Sequence, residues 1–183
     1  MSPSEVAHEI AGVFQEHGHR AYGEHVTELQ HALQCAALAH ADGEEPVVVA
    51  ACLLHDYGHL VHGLAEDIAD HGVDGRHECV GANRLSAWFP PEVVEPIRMH
   101  AAAKRYLCWK ESGYQAALSG ASRKSLALQG GAMSESEARE FERQPHFDRA
   151  IRVRRYDDRG KAPEMVTPDF ASWRPLLESL VRP

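Results

Sequence analysis

Paired cysteines, long apolar runs, an excess of basic charge and internal repeats are all missing from this chain. Cys35, Cys52, Cys79 and Cys108 stand singly in segments of helical pattern, so neither a zinc ribbon nor a disulfide scaffold fits, and reduced structural thiols are expected. No apolar stretch approaches the roughly 20 residues that cross a bilayer. The opening Met1-Ser2-Pro3-Ser4-Glu5 lacks a basic segment followed by an apolar one, so a soluble cytoplasmic protein is expected. Lys plus Arg number 19 against 27 Asp plus Glu, a formal charge of -8, which argues against nucleic acid or an anionic membrane as partner. Positive charge for an anionic substrate would have to be local. Convincing strand alternation is missing as well. With 183 residues and 44% hydrophobic content, one closed core and a single domain over residues 1–183 are expected.

What is present is helical punctuation and histidine. Val26, Leu29, Leu33, Ala36 and Ala37 keep a helical period, predicting a largely buried helix from about Glu24 to His40. Asp42-Gly43 breaks it, Pro46 opens the next, and Gly58 is expected to end that one. The acidic, glycine-bearing stretch from Leu64 to Arg76 reads as a loop. Helices then follow over about His77 to Trp88, Glu92 to Leu107 with Pro96 in its first turns, where a missing N–H is expected to cost little, a short one capped by Ser134 and Glu137, and Phe147 to Arg159 closed by Gly160. The fold class is all-α.

Histidine accounts for 13 residues, more than a core or a solvated surface ordinarily demands. His55-Asp56 closes the apolar run Val47 to Leu54, and an imidazole beside a carboxylate at a buried helix end is poor packing material and a good pair of metal ligands. His31, His55, Asp56, His77, His100 and Asp157 fall one or two per predicted helix, as when a bundle builds a site from inward-facing side chains. His55-Asp56-Tyr57-Gly58-His59 is superficially like the HExxH zinc-protease motif, but Gly58 disfavours one continuous face and the acid is Asp. The order H…HD…H…H…D offers enough donors for two ions bridged by Asp56. Four imidazoles with carboxylates suit iron, manganese or zinc better than magnesium or calcium.

That order, with Glu28-Leu29-Gln30-His31, Leu53-Leu54-His55-Asp56-Tyr57-Gly58-His59, Arg76-His77-Glu78, Ala103-Lys104-Arg105-Tyr106-Leu107, Ser122-Arg123, Leu128-Gln129-Gly130-Gly131 and Arg154-Arg155-Tyr156-Asp157, resembles the phosphonate-degrading HD-domain oxygenases of the PhnZ type. The similarity runs from about Tyr22 to Lys161. It implies an HD-domain helical bundle with an Fe(II)/Fe(III) pair in its core. His31, His55, Asp56 and Asp157 would hold one iron, and Asp56, His77 and His100 the other. It also implies O2 as co-substrate and a small 1-hydroxyalkylphosphonate as substrate. Such a compound would be cleaved to a carboxylate and phosphate, because oxidising the carbon opens a C–P bond that a metal-bound water does not readily break. His59, Lys104, Ser122 and Arg154 would bind the phosphonate; Lys104 lies four residues after His100 and Arg154 three before Asp157, on the ligands' helix faces. In the plainer alternative, Lys104 and Arg154 balance buried carboxylates.

By the same resemblance Tyr22 stands at the open iron position before substrate arrives and Glu24 meets a substrate ammonium. Glu24 could equally open the helix. An aromatic beside a carboxylate also suits a quaternary ammonium. The resemblance thus implies (1-hydroxy-2-aminoethyl)phosphonate or its N-trimethyl form, with hydroxymethylphosphonate as a further candidate. Two other classes remain open: an HD-type phosphohydrolase of a nucleotide or phosphate ester, and a non-catalytic metal-bound sensor.

Overall fold

Capping boxes set two of the early helices. In the computed structural model, which describes residues 1–22, 25–63 and 72–183, helix α1 (Pro3–His17) starts where the Ser2 hydroxyl accepts from the Glu5 amide and the Glu5 side chain accepts from the Ser2 amide. It buries Val6, Ala7, Ile10 and Phe14, and was not expected from the sequence. Thr27 and Gln30 make the same reciprocal pair, so α2 (Glu28–Ala41) begins later than the expected Glu24. Before it, β1 (Ala21–Tyr22) and β2 (Val26–Thr27) form a short antiparallel pair that sequence alternation was too brief to announce. The remaining helices are α3 (Pro46–Leu54), α4 (Tyr57–Val61), α5 (His77–Leu85), α6 (Pro91–Lys110), α7 (Tyr114–Ala117), α8 (Gly120–Leu128), α9 (Glu135–Glu142), α10 (Phe147–Arg159) and α11 (Arg174–Leu180). The architecture is all-α, as expected.

Helix α3 is the hub. Every residue from Val48 to Leu54 is buried, because α2, α6, α10 and α11 all pack against it. A helix apolar on every side has no other stable place. Helix α10 lies along α6, and a second apolar cluster around Tyr106, Phe141 and Ala150 extends the core there. All four cysteines are free, with Cys35 and Cys52 buried. Among the described residues no helix is long and apolar enough to cross a membrane.

Two expectations about punctuation are corrected. Pro96 lies in the second turn of α6, past the amides that have no intrahelical partner, so it does cost one backbone hydrogen bond. Gly58 does not end α3, which stops at Leu54; it lies inside α4. A Cβ there would fall 1.9 Å from the His77 carbonyl oxygen and 2.9 Å from the Gly81 nitrogen. Gly58 is therefore glycine so that the backbones of α4 and α5 can touch. Gly58→Ala is expected to cost about 3 kcal/mol or more by overpacking this contact. A thermal melt of the metal-free protein checks it, and an unchanged midpoint would contradict it. Of the expected loop from Leu64 to Arg76, residues 64–71 lie outside the described residues, and the remainder is irregular.

Candidate metal centre

Each candidate ligand is delivered by a different local device. His31 occupies the first turn of α2, one turn past the Thr27 cap, and is fully buried. His55 closes α3 with helical angles while Asp56, at φ -99 and ψ 11, opens α4, so the break between two helices turns consecutive side chains into one space. His77 is the first residue of α5, preceded by Arg76 in the left-handed region at φ 46, whose amide donates to Asp74 Oδ1 at 3.0 Å. His100 sits mid-way along α6 and Asp157 in the last turns of α10.

The six converge. Asp56 Oδ2 lies 3.2 Å from His55 Nε2 and 3.5 Å from His31 Nε2, while its Oδ1 lies 3.2 Å from His77 Nε2 and 3.5 Å from His100 Nε2. One carboxylate thus faces two imidazole pairs, one with each oxygen. Asp157 Oδ1 joins the first pair, 3.5 Å from His31 Nε2.

The outer ring nitrogens fix which atoms face inward. Nδ1 of His31, His55 and His100 donates to the carbonyls of Gly160, Cys52 and Ile97 at 2.7, 2.8 and 2.7 Å. A carbonyl only accepts, so each neutral ring must present an Nε2 lone pair to the centre. Yet the Nε2 atoms stand 3.1 Å apart in the His31–His55 pair and 3.0 Å apart in the His77–His100 pair. Lone pairs that close repel unless a cation or a proton lies between them. The donor set therefore fits metal ions, one beside each Asp56 oxygen.

Titration behaviour agrees. Burial lowers His31 to about 4 and His77 to about 3, leaving both neutral. Burial also works against a charge on His55, but Asp56 and Asp157 outweigh it and push His55 up to about 9. In the metal-free chain its proton takes the cation's place. Burial alone would raise Asp56 and Asp157; His55 and the other imidazoles hold Asp56 well below the usual carboxylate range, and Arg154 and Lys161 do so for Asp157. Cys35 Sγ lies 3.7 Å from His31 Nε2, but burial keeps the thiol protonated and it donates to the Tyr156 carbonyl at 3.4 Å. In the metal-free chain it packs against the His31 ring. Gly160 leaves it room, since a Cβ there would meet Cys35 Sγ at 2.4 Å.

Around the centre the other candidates divide. The Tyr22 ring stacks on His31, centroids 3.8 Å apart, and its hydroxyl donates to Asp157 Oδ1 at 3.2 Å; burial, with Asp157 beside it, keeps the phenol protonated. The His59 ring stacks on His77 at 4.0 Å. Lys104, 3% exposed, donates to Ser125 Oγ at 2.6 Å and has no carboxylate within ion-pairing reach among the described residues. Burial first, and then Arg154, lower it to about 8. Ser122 is buried at the start of α8. Arg154 is differently placed: Nη1 donates to Asp157 Oδ2 at 2.6 Å, Nη2 to Asp158 Oδ1, and Nε to the Tyr114 hydroxyl at 3.1 Å. Each of its nitrogens already has a protein acceptor. Glu24 lies outside the described residues.

Sequence reasoning missed Lys161. Its Nζ lies 3.2 Å from Asp157 Oδ1, 3.5 Å from Ser122 Oγ and 5.6 Å from the centre of the Tyr22 ring. The signal was available, since Lys161 follows Asp157 by four residues, but the helix stop at Gly160 hid it.

Residues 22–141 match the HD domain family. This chain belongs to it. Two relatives sharpen the placement. The chain is 39% identical to the hydroxymethylphosphonate dioxygenase of Gimesia maris over 97% of its own length and 89% of the relative's. It is also 39% identical to the [1-hydroxy-2-(trimethylamino)ethyl]phosphonate dioxygenase (glycine-betaine-forming) of Leisingera caerulea, over 94% and 88% of the two chains. An uncharacterized protein of Acanthamoeba polyphaga mimivirus is 36% identical over 83% of this chain. The resemblance to the phosphonate oxygenases of the HD-domain family is borne out.

Proposed function

We propose that this protein is a di-iron dioxygenase that cleaves the C–P bond of a 1-hydroxyalkylphosphonate, with an amino or N-trimethylamino group on the second carbon. The observation that carries the reading is Asp56, with one oxygen toward His31 and His55 and the other toward His77 and His100. A phosphohydrolase could use the same ligands, but the two named relatives, alike over nearly the whole chain, are both dioxygenases of hydroxyphosphonates. Asp157 and Gly160 lie beyond the matched residues yet belong to the same centre, which supports one functional domain over the whole chain.

Atoms balance as follows. R–CH(OH)–PO3(2−) and O2 give R–COO− and HPO4(2−), with one proton released. The iron pair, held by His31, His55, Asp56 and Asp157 on one side and Asp56, His77 and His100 on the other, would supply the redox chemistry of O2. The chain's own residues do the placing. Lys104, buried without a carboxylate partner among the described residues, is the cation that an incoming phosphonate satisfies. Ser122 and Lys161 offer further donors on that side, and His59, stacked on His77, closes the other. Tyr22 covers His31 and holds its proton on Asp157, so it shields that half until substrate displaces it. Arg154 acts through Asp157, whose outer oxygen it holds.

The test is O2 uptake coupled to phosphate release by iron-reconstituted protein. A panel bearing amino, trimethylamino or no substituent at the second carbon reads the preference, and Glu24→Ala should weaken only the amine-bearing compounds. No turnover of any 1-hydroxyphosphonate, or phosphate-ester hydrolysis with manganese in the absence of O2, would overturn the reading. Lys104→Met should raise KM by about 10²-fold or more, the loss of a charge-assisted pair, at unchanged iron content. An unchanged KM would remove Lys104 from the phosphonate site.

A further inference from the structure

Three of the four candidate imidazoles are braced by main-chain carbonyls, and the fourth is not. His31, His55 and His100 donate from Nδ1 to Gly160, Cys52 and Ile97. Among the described residues His77 meets no carbonyl there. Facing its Nδ1 is Glu78 Oε2, 3.7 Å away. That oxygen is buried, on a side chain only 12% exposed, and has no hydrogen-bond partner among the described residues. The other carboxylate oxygen is tied: the Cys79 thiol donates to Glu78 Oε1 at 3.5 Å, and the Arg76 guanidinium backs that thiol at 3.7 Å.

A buried carboxylate oxygen left without a donor is costly and rare. One N–H in the neighbourhood suits it. We propose that Glu78 is a positioning residue for His77. On metal binding its free oxygen takes the Nδ1–H, fixes the tautomer and makes the ring a stronger donor to the ion between Asp56 Oδ1, His77 and His100. This rests on the two-ion reading above. Closing the gap needs a shift of less than about 1 Å to reach hydrogen-bond length. The consequence is asymmetry: both imidazoles of the first half-site are braced by backbone, whereas in the second His100 is and His77 depends on one side chain. Outer carboxylates of this kind typically change metal affinity by about 10–100-fold.

The experiment is an anaerobic Fe(II) titration of the full chain against a chromophoric chelator, resolving two dissociation constants. Glu78→Ala should raise the second by about 10–100-fold and leave the first within a few-fold. Glu78→Gln, which keeps an oxygen for Nδ1–H, should recover most of that loss. If Glu78 served only as an acid in the first turn of α5, favourable to the helix dipole, the Gln variant would behave as the Ala variant and affinity would not be restored; that result overturns the proposal. So does a Glu78→Ala protein that binds both ions like the parent, or one in which both constants weaken together. A parent that holds a single ion marks the failure of the two-ion reading instead.

Discussion

Asp56→Ala is expected to lower kcat/KM by about 10³-fold or more, on the order of 4 kcal/mol of transition-state stabilisation, and to leave the chain holding at most one iron. The reason lies in how the donors divide. Without Asp56, His31, His55 and Asp157 still surround one position, whereas the other keeps only His77 and His100. Two imidazoles without a carboxylate are a poor site for a hard, charged iron ion. Losing the second ion removes the oxidation and leaves substrate binding largely in place. Steady-state O2 uptake with iron analysis on the same sample measures both effects, and activity within tenfold of the parent would contradict the bridge.

Arg154→Met is expected to lower the melting temperature of the metal-free protein by about 6–20 °C. Arg154 is 3% exposed and pairs with both Asp157 and Asp158, so its removal takes a guanidinium from both carboxylates and leaves the buried Asp157 to Lys161 and the imidazoles. Breaking one side of such a pair costs about 3–5 kcal/mol, and a chain of this size loses about 2–4 °C per kcal/mol. Iron should reverse part of the deficit, because the ion beside Asp157 replaces the lost positive charge. Calorimetry with and without metal checks both statements. A drop of less than about 2 °C in the metal-free form would show that Asp157 does not depend on this arginine.

Much of this candidate centre was legible in the residues, because its candidate ligands follow local rules. His55 and Asp56 are adjacent, and the other four candidates stand one to a helix, so the list could be written before their convergence was seen. The helix starts at Ser2 and Thr27 were equally legible: each carries the reciprocal cap recognised at Ser134 and Glu137, and reading it would have moved α2 to Glu28 and announced α1. Other features could not be read locally. That Gly58 is pressed against α5, and Gly160 against Cys35 and His31, is a property of neighbours distant in sequence. Arg154 posed a different difficulty. Spacing placed it on the face of Asp157, but only the structure shows its nitrogens already engaged by Asp157, Asp158 and Tyr114.

The most direct test is anomalous scattering at the iron edge from a crystal of the iron-reconstituted protein. Two iron peaks should appear per chain on opposite sides of Asp56, one beside His31, His55 and Asp157 and the other beside His77 and His100. A single peak, or none near Asp56, would contradict the account.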